Sequence, residues 1–307
     1  MARPTAALVS LAWLVSGSVL TGTSLPAGST TQPASDTARQ TARTFGEPRV
    51  VVRLAERDIN ESSGVAASRV KPGWFYTHND SGDGPRFWRF DLSGNVEGPW
   101  TLDGAKAIDW EDMAVATVQG RHFIYIGDIG DNRERRPSVQ VYRFEEPTGP
   151  PGPIRVFDTF DLTYPDRPHN AEALLVDPQG AITIVTKTDG PSKVFTLPPD
   201  TPPGPHRLSF VSELRLPSVG TDAGSRLVTG GDISPDGRFV VIRTYREAWE
   251  FDVPARPEKW AHRTPRRIRL APELQGEAIA YSADGTFLIT TSEMIPCQVT
   301  RIDIVGP

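Results

Sequence analysis

Five acidic residues open short apolar stretches in near-repeated surroundings. They are Glu61 in INESSGVAAS, Glu111 in IDWEDMAVAT, Glu172 in HNAEALLVDP, Asp232 in VTGGDISPDG and Glu277 in LQGEAIAYSA. Their spacings are 50, 61, 60 and 45 residues. Carboxylates in this number, with no His or Cys cluster beside them, are hard oxygen ligands that suit calcium better than zinc or copper. The five are therefore the expected metal ligands, and Ca2+ the expected cofactor. Unpaired, they would repel one another, so a cation, raised pKa values or basic partners must offset the repulsion. Two Asp/Asn/Gly-rich loops, HNDSGDG at 78–84 and GDIGDN at 127–132, offer further oxygens. Within them Asp80 and Asp128 are candidate catalytic bases. Lys187, Arg243 and Tyr245 are candidate binders of an anionic substrate.

Other chemistries find less support. The five histidines are His78, His122, His169, His206 and His262, and no G-x-S-x-G elbow accompanies them. Cys297 is the only cysteine, so no internal disulfide forms, and its expected state is a semi-buried inert thiol. A glycosidase would need two carboxylates flanking a sugar. The acids offer candidates, but no sugar-hydrolase motif appears.

The acids need elements that bring them together, and a recurring acid at this period points to a repeat architecture. Each unit has the same grammar. A small-residue strand follows the acid. A turn such as KPG, DPQG, SPDG or SADG comes next, and then a β-branched and aromatic strand such as WFYTH or FVVIRTY. A third strand alternates, as in RFWRFDL and VQVYRFE, and a fourth follows in VEGPWTL, IRVFDTFDL, LSFVSELRL and RRIRLAP. Five units but four trailing fourth strands leave one strand to find. Residues 49–56 (RVVVRLAE) supply it from the N-terminal side. The pattern predicts an all-β fold: a five-bladed β-propeller of four antiparallel strands per blade, with the N-terminal strand closing the last blade. Strand polarity then puts the start of each first strand and the end of each second strand at one mouth of the channel.

Three segments are expected: a secretory signal peptide at 1–27, a flexible tether at 28–46 and the propeller at 47–307. The first carries Arg3 ahead of an apolar run and then small residues, which implies a secreted, periplasmic or cell-envelope protein. A net charge of −5 gives no electrostatic case for nucleic acid. The expected partner is a small anionic molecule or a cell-envelope ligand. No membrane contact beyond the signal segment is expected, and the chain is expected to be a monomer.

With the units laid out, the chain resembles the SdiA-regulated family of exported bacterial propellers. The likeness rests on ESSGVA, DWEDMAV, NAEALLVD and QGEAIAYS and covers residues 58–307. It implies a five-bladed propeller with a calcium ion near the axis; the family's function is not established. Glu61, Glu111, Glu172 and Glu277 occupy the matching acidic positions, whereas the fourth unit departs with Asp232. A looser likeness in architecture connects it with phytase-like and lactonase-type calcium propellers. The sharper expectation is a calcium-dependent hydrolase of phosphoesters, esters or lactones. The alternative is a non-catalytic propeller that binds a ligand or partner and carries a structural calcium ion.

Overall fold

The computed structural model describes residues 43–155, 157–217 and 223–306. The expected signal peptide and most of the tether lie outside the described residues. Five sheets follow one another along the chain. The first blade comprises Ser62–Ala67, Trp74–Asn79, Arg86–Asp91 and Val96–Leu102. The second comprises Trp110–Val118, Arg121–Asp128, Val139–Glu145 and Asp158–Thr163. The third comprises Ala171–Val176, Ile182–Thr186, Ser192–Leu197 and Ser209–Leu214. The fourth comprises Val228–Ile233, Phe239–Thr244, Glu247–Asp252 and Arg266–Arg269. The fifth comprises Gly276–Tyr281, Phe287–Ser292, Cys297–Val305 and, from the N-terminal side, Arg49–Leu54. Arg49–Leu54 pairs antiparallel with Cys297–Val305, which is the expected closure.

The innermost strands touch in ring order, and that of the fifth blade touches that of the first. Apolar residues fill the five wedges between neighbouring blades. Val65, Phe75, Ala278 and Ile289 pack between the fifth blade and the first, and Tyr76, Trp100, Met113 and Ile126 between the first and second. Tyr125, Leu174 and Ile184 fill the next wedge, Val185, Val240 and Trp249 the one after, and Val241, Ile279 and Leu288 the last. Strands buried on both faces explain why their apolar runs are nearly continuous rather than alternating. Among the described residues no helix is long and apolar enough to cross a membrane.

The strand pattern departs from expectation in two places. The run IRVFDTFDL is not one strand. Pro153–Ile154 pairs in parallel with Val96–Leu102 of the first blade, and only Asp158–Thr163 belongs to the second. Gly204–Arg207 likewise adds in parallel to Asp158–Thr163. Both short additions cover an outer strand edge that would otherwise be open to pairing. The tether boundary also shifts. Thr44–Phe45 pairs with Val305 and Ile304, and the Arg43 guanidinium donates to Glu250 at 3.1 Å while lying over the Phe239 ring. Residues 43–46 are thus part of the fold.

Candidate functional site at the acidic mouth

All five blades share one local device. The pairing of first and second strands slips by a residue near its start. The slips fall between Ser62 and Gly64, Trp110 and Asp112, Ala171 and Ala173, Val228 and Gly230, and Gly276 and Ala278. A β-bulge of this kind re-aims the extra residue out of the ladder. The residues so placed are Ser63, Glu111, Glu172, Thr229 and Glu277. Three of the five recurring acids are therefore true equivalents, and the other two are not. Glu61 stands two residues earlier, exposed on the rim, where its carbonyl accepts the Asp80 N–H at 2.9 Å. Asp232 stands three residues beyond Thr229. It accepts the Tyr281 N–H at 2.8 Å, and burial lifts its carboxyl to about 7. Neither position can be grouped with the other three as one ring of ligands. Ser63 and Thr229 instead spend their hydroxyls on the carbonyls of Glu111 and Gly276.

The ends of the second strands add a second tier. Asn79, Asp128, Thr186, Thr244 and Ser292 pair with the first residues of the first strands. The residues that follow are Asp80, Ile129, Lys187, Tyr245 and Glu293. Together with Glu61 and Asp109 on the rim, seven carboxylates surround one ammonium group in this part of the described residues.

Five of the seven acids fall into two groups. Carboxylate oxygens of Asp80, Asp109 and Glu111 all lie within 4.8 Å of one another. Glu111 is 5% exposed and receives no hydrogen bond from any described protein group. Burial, then Glu172, Asp80 and Asp109, push its carboxyl well above the usual range. Burial and the neighbouring Asp80 raise Asp109 to about 6, and burial raises Asp80 as well. Gly130 makes this approach possible, because a methyl there would run into both Glu111 Oε1 and Asp109 Oδ2. In the second group, Lys187 Nζ donates to both oxygens of Glu172 at 2.6 Å and to the Tyr245 hydroxyl at 2.7 Å. Burial works against the Lys187 charge, but Glu172 beside it holds its pKa above the ordinary value. Burial, and then the Glu277 carboxylate nearby, raise the Tyr245 hydroxyl above its ordinary pKa. Glu293 sits between the groups, half-buried and held by Gln275 Nε2 at 2.9 Å. Burial, then Glu277, Asp80 and Glu61, bring its carboxyl to about 7.

Two expected site residues have structural duties instead. Asp128 is fully buried. It accepts the Asp109 N–H at 3.0 Å and Arg136 Nη1 at 2.7 Å, so it holds the rim loop and is no free base. Arg243 is also fully buried. It donates to the Ala278 carbonyl at 2.9 Å and pairs with Glu273, which ties the fourth blade to the fifth. A side chain at Gly276 would collide with its guanidinium. Arg243 is unavailable to a substrate anion. Cys297 is fully buried, and burial raises its thiol to about 11, as fits an inert group.

Sequence reasoning passed over Asp112. It is fully buried near the axis and accepts the N–H groups of Met113, Leu174 and Gly231 at 2.8, 2.9 and 3.2 Å, joining three blades. Its signal was a charge where the other units carry Gly64, Ala173, Gly230 and Ala278. Asp109 and Glu293 carry no sequence signal of their own: burial, and then neighbours distant in sequence such as Asp80, raise their carboxyls.

No family profile matches the chain, and no curated protein matches it. Among solved structures, it is similar to the PQQ-bound aldose sugar dehydrogenase of Streptomyces coelicolor, with a TM-score of 0.50 and 12% identity over 84% of this chain and 98% of that one. At that identity the likeness supports a propeller fold and nothing finer.

Proposed function

We propose that this protein is an exported propeller that binds a divalent cation, calcium above others, at the mouth of its channel and hydrolyses small anionic esters there. The observation that carries this reading is Glu111: a buried carboxylate that faces the carboxylates of Asp80 and Asp109 within 4.8 Å, with no hydrogen-bond donor to it among the described residues. A buried charge without compensation is costly, and an all-oxygen donor set fits a hard cation. Asp80 and Asp109 are only part-buried, which leaves one side of the cluster open to a ligand. The likeness to the SdiA-regulated family and to calcium propellers agrees with this assignment.

When bound, the cation would polarise a phosphoryl or acyl oxygen and favour ionisation of water. The chain's own residues supply the rest. Glu293, with a pKa near neutrality, accepts the proton of the attacking water. Lys187, fixed by Glu172 and Tyr245, gives the mouth one positive edge against which an anionic group can be oriented.

Calorimetric titration of the chelated protein with calcium tests the site, alongside the shift in melting temperature. Saturable heat and a higher Tm are expected. No heat and no shift would sink the cation assignment. A panel of phosphate esters, lactones and aryl esters then tests the chemistry. Cation binding without turnover of any of them would leave a non-catalytic propeller with a structural ion. Turnover unchanged by Glu293→Gln would reject Glu293 as the base.

A further inference from the structure

The acidic mouth has an apolar lip on one side. Eight large hydrophobic side chains are exposed among the described residues, and four of them lie on this single face: Ile108, Leu274, Met294 and Ile295. Three come from the fifth blade. Leu274 is 81% exposed and Ile295 is 58% exposed. Single exposed apolar residues need no explanation, but a group beside a polar site does. The lip is built on the two loops that carry the site's own residues. The Glu293 N–H donates to the Gln275 carbonyl at 2.9 Å, which brings Leu274 and Met294 together just beyond that rung. The Gln275 side chain in turn holds the Glu293 carboxylate. Leu274 and Met294 are thus the outer chain neighbours of the Gln275–Glu293 pair, and Glu277 begins its bulge two residues after Gln275.

The placement has a direction. The oxygen cluster belongs to the first and second blades and the lip to the fifth, with Glu293 between them. A ligand whose anionic head lies at Asp80, Asp109 and Glu111, and whose reacting bond faces Glu293, can extend its remaining atoms past Glu293 over Leu274, Met294 and Ile295. The one cation on that side among the residues named, Arg243, is fully buried against Glu273, and Lys187 is on the third blade, paired with Glu172. A second charge on the ligand would meet only Glu293 there, whereas a hydrocarbon arm would cover the lip.

We infer that the substrate is an amphiphile, an anionic or lactone head with an aliphatic arm, and that the lip formed by Leu274, Met294 and Ile295 seats the arm. This rests on the proposed cation-dependent reading for the head but concerns a different surface, and the two can fail separately.

The test is a homologous series of n-alkyl phosphonates, methyl to octyl, titrated calorimetrically into the calcium-loaded protein. The same series is titrated into the variant carrying Leu274→Ser and Ile295→Ser. Both substitutions are at exposed positions, and unchanged melting temperature and circular dichroism confirm that the variant folds. Affinity in the parent protein is expected to rise about two- to fourfold per added methylene until the lip is covered. In the variant the octyl-to-methyl affinity ratio is expected to collapse toward one. A flat series in the parent protein, or a chain-length dependence that survives in the variant, overturns the lip. So does absence of binding by every member to protein whose calcium site is filled. Chain-length-dependent binding without hydrolysis of the matching esters supports the lip and removes only the hydrolase reading. Such binding in protein that takes up no calcium supports the lip and removes only the cation.

Discussion

At the scale of single residues, Glu111 separates a site from an ordinary strand end. Carboxylates at propeller strand ends usually satisfy backbone N–H groups, and Asp128 and Asp112 do so here. Glu111 does not. Its burial and its neighbours all oppose ionisation, with only the distant pull of Lys187 in favour. Glu111→Gln keeps the shape and removes the charge. The cation-free variant is therefore expected to melt about 2–4 °C above the parent, for a gain on the order of 1 kcal/mol in a chain of this size. It is also expected to lose most of the calcium-induced rise in Tm. Differential scanning calorimetry with and without calcium checks both. A variant that melts lower than the parent without the ion, or that still responds fully to it, would show that Glu111 is not the central ligand.

At the scale of elements, the ring depends on a strand borrowed from the far end of the chain. Arg49–Leu54 covers Cys297–Val305, and Leu54 is fully buried in the wedge with Val65 and Val299. Deleting residues 43–56 opens that edge and empties Leu54's place, a loss of about 2–5 kcal/mol for the leucine alone. Size-exclusion chromatography is expected to show association through the bare edge, together with a lower Tm; a monomer melting like the parent would contradict the closure. This strand was legible in the sequence because strand counting left one place empty and RVVVRLAE could fill it. The blade order was legible for the same reason: turn residues and alternating strands recur at every unit. The tiers at the mouth were not. Acid alignment matched Glu61 and Asp232 to Glu111, Glu172 and Glu277, because a bulge adds a residue without marking it by type. The true equivalents, Ser63 and Thr229, carry no charge. Aligning the ends of the second strands would have exposed the offset, since Asn79, Asp128, Thr186, Thr244 and Ser292 hold one register. Arg243 misled for a different reason: a guanidinium at a strand end reads as a ligand for anions until Glu273, thirty residues on, is seen to pair with it.

At the scale of the whole molecule, the acids gathered on one axis make stability depend on pH in an unusual sense. Asp109, Asp232 and Glu293 have folded pKa values of about 6, 7 and 7, all above their ordinary values. The folded protein therefore keeps protons that the unfolded chain has released. Wherever the native state binds more protons, stability falls as pH rises. From about pH 4.5 to about pH 7 the cation-free protein is expected to lose stability. His78 acts in the opposite sense over much of the same window. Buried and neutral, with a folded value of about 4 against an ordinary 6.5, it costs stability as pH falls below 6.5. Three raised acids outweigh one histidine between about pH 4.5 and 6, so these groups put the cation-free optimum at about pH 4 to 4.5, well below the proton-release range of Asp232 and Glu293. Calcium should displace protons from Asp80, Asp109 and Glu111, so its stabilising effect grows with pH while the cation-free protein weakens. Melting temperatures recorded across this range, in chelator and in excess calcium, are expected to form two curves that converge in acid and part in base. Parallel curves would mean that the ion binds away from the titrating mouth. A cation-free Tm that climbs steadily to about pH 8 would mean that the axial carboxylates are paired by something other than protons and a cation.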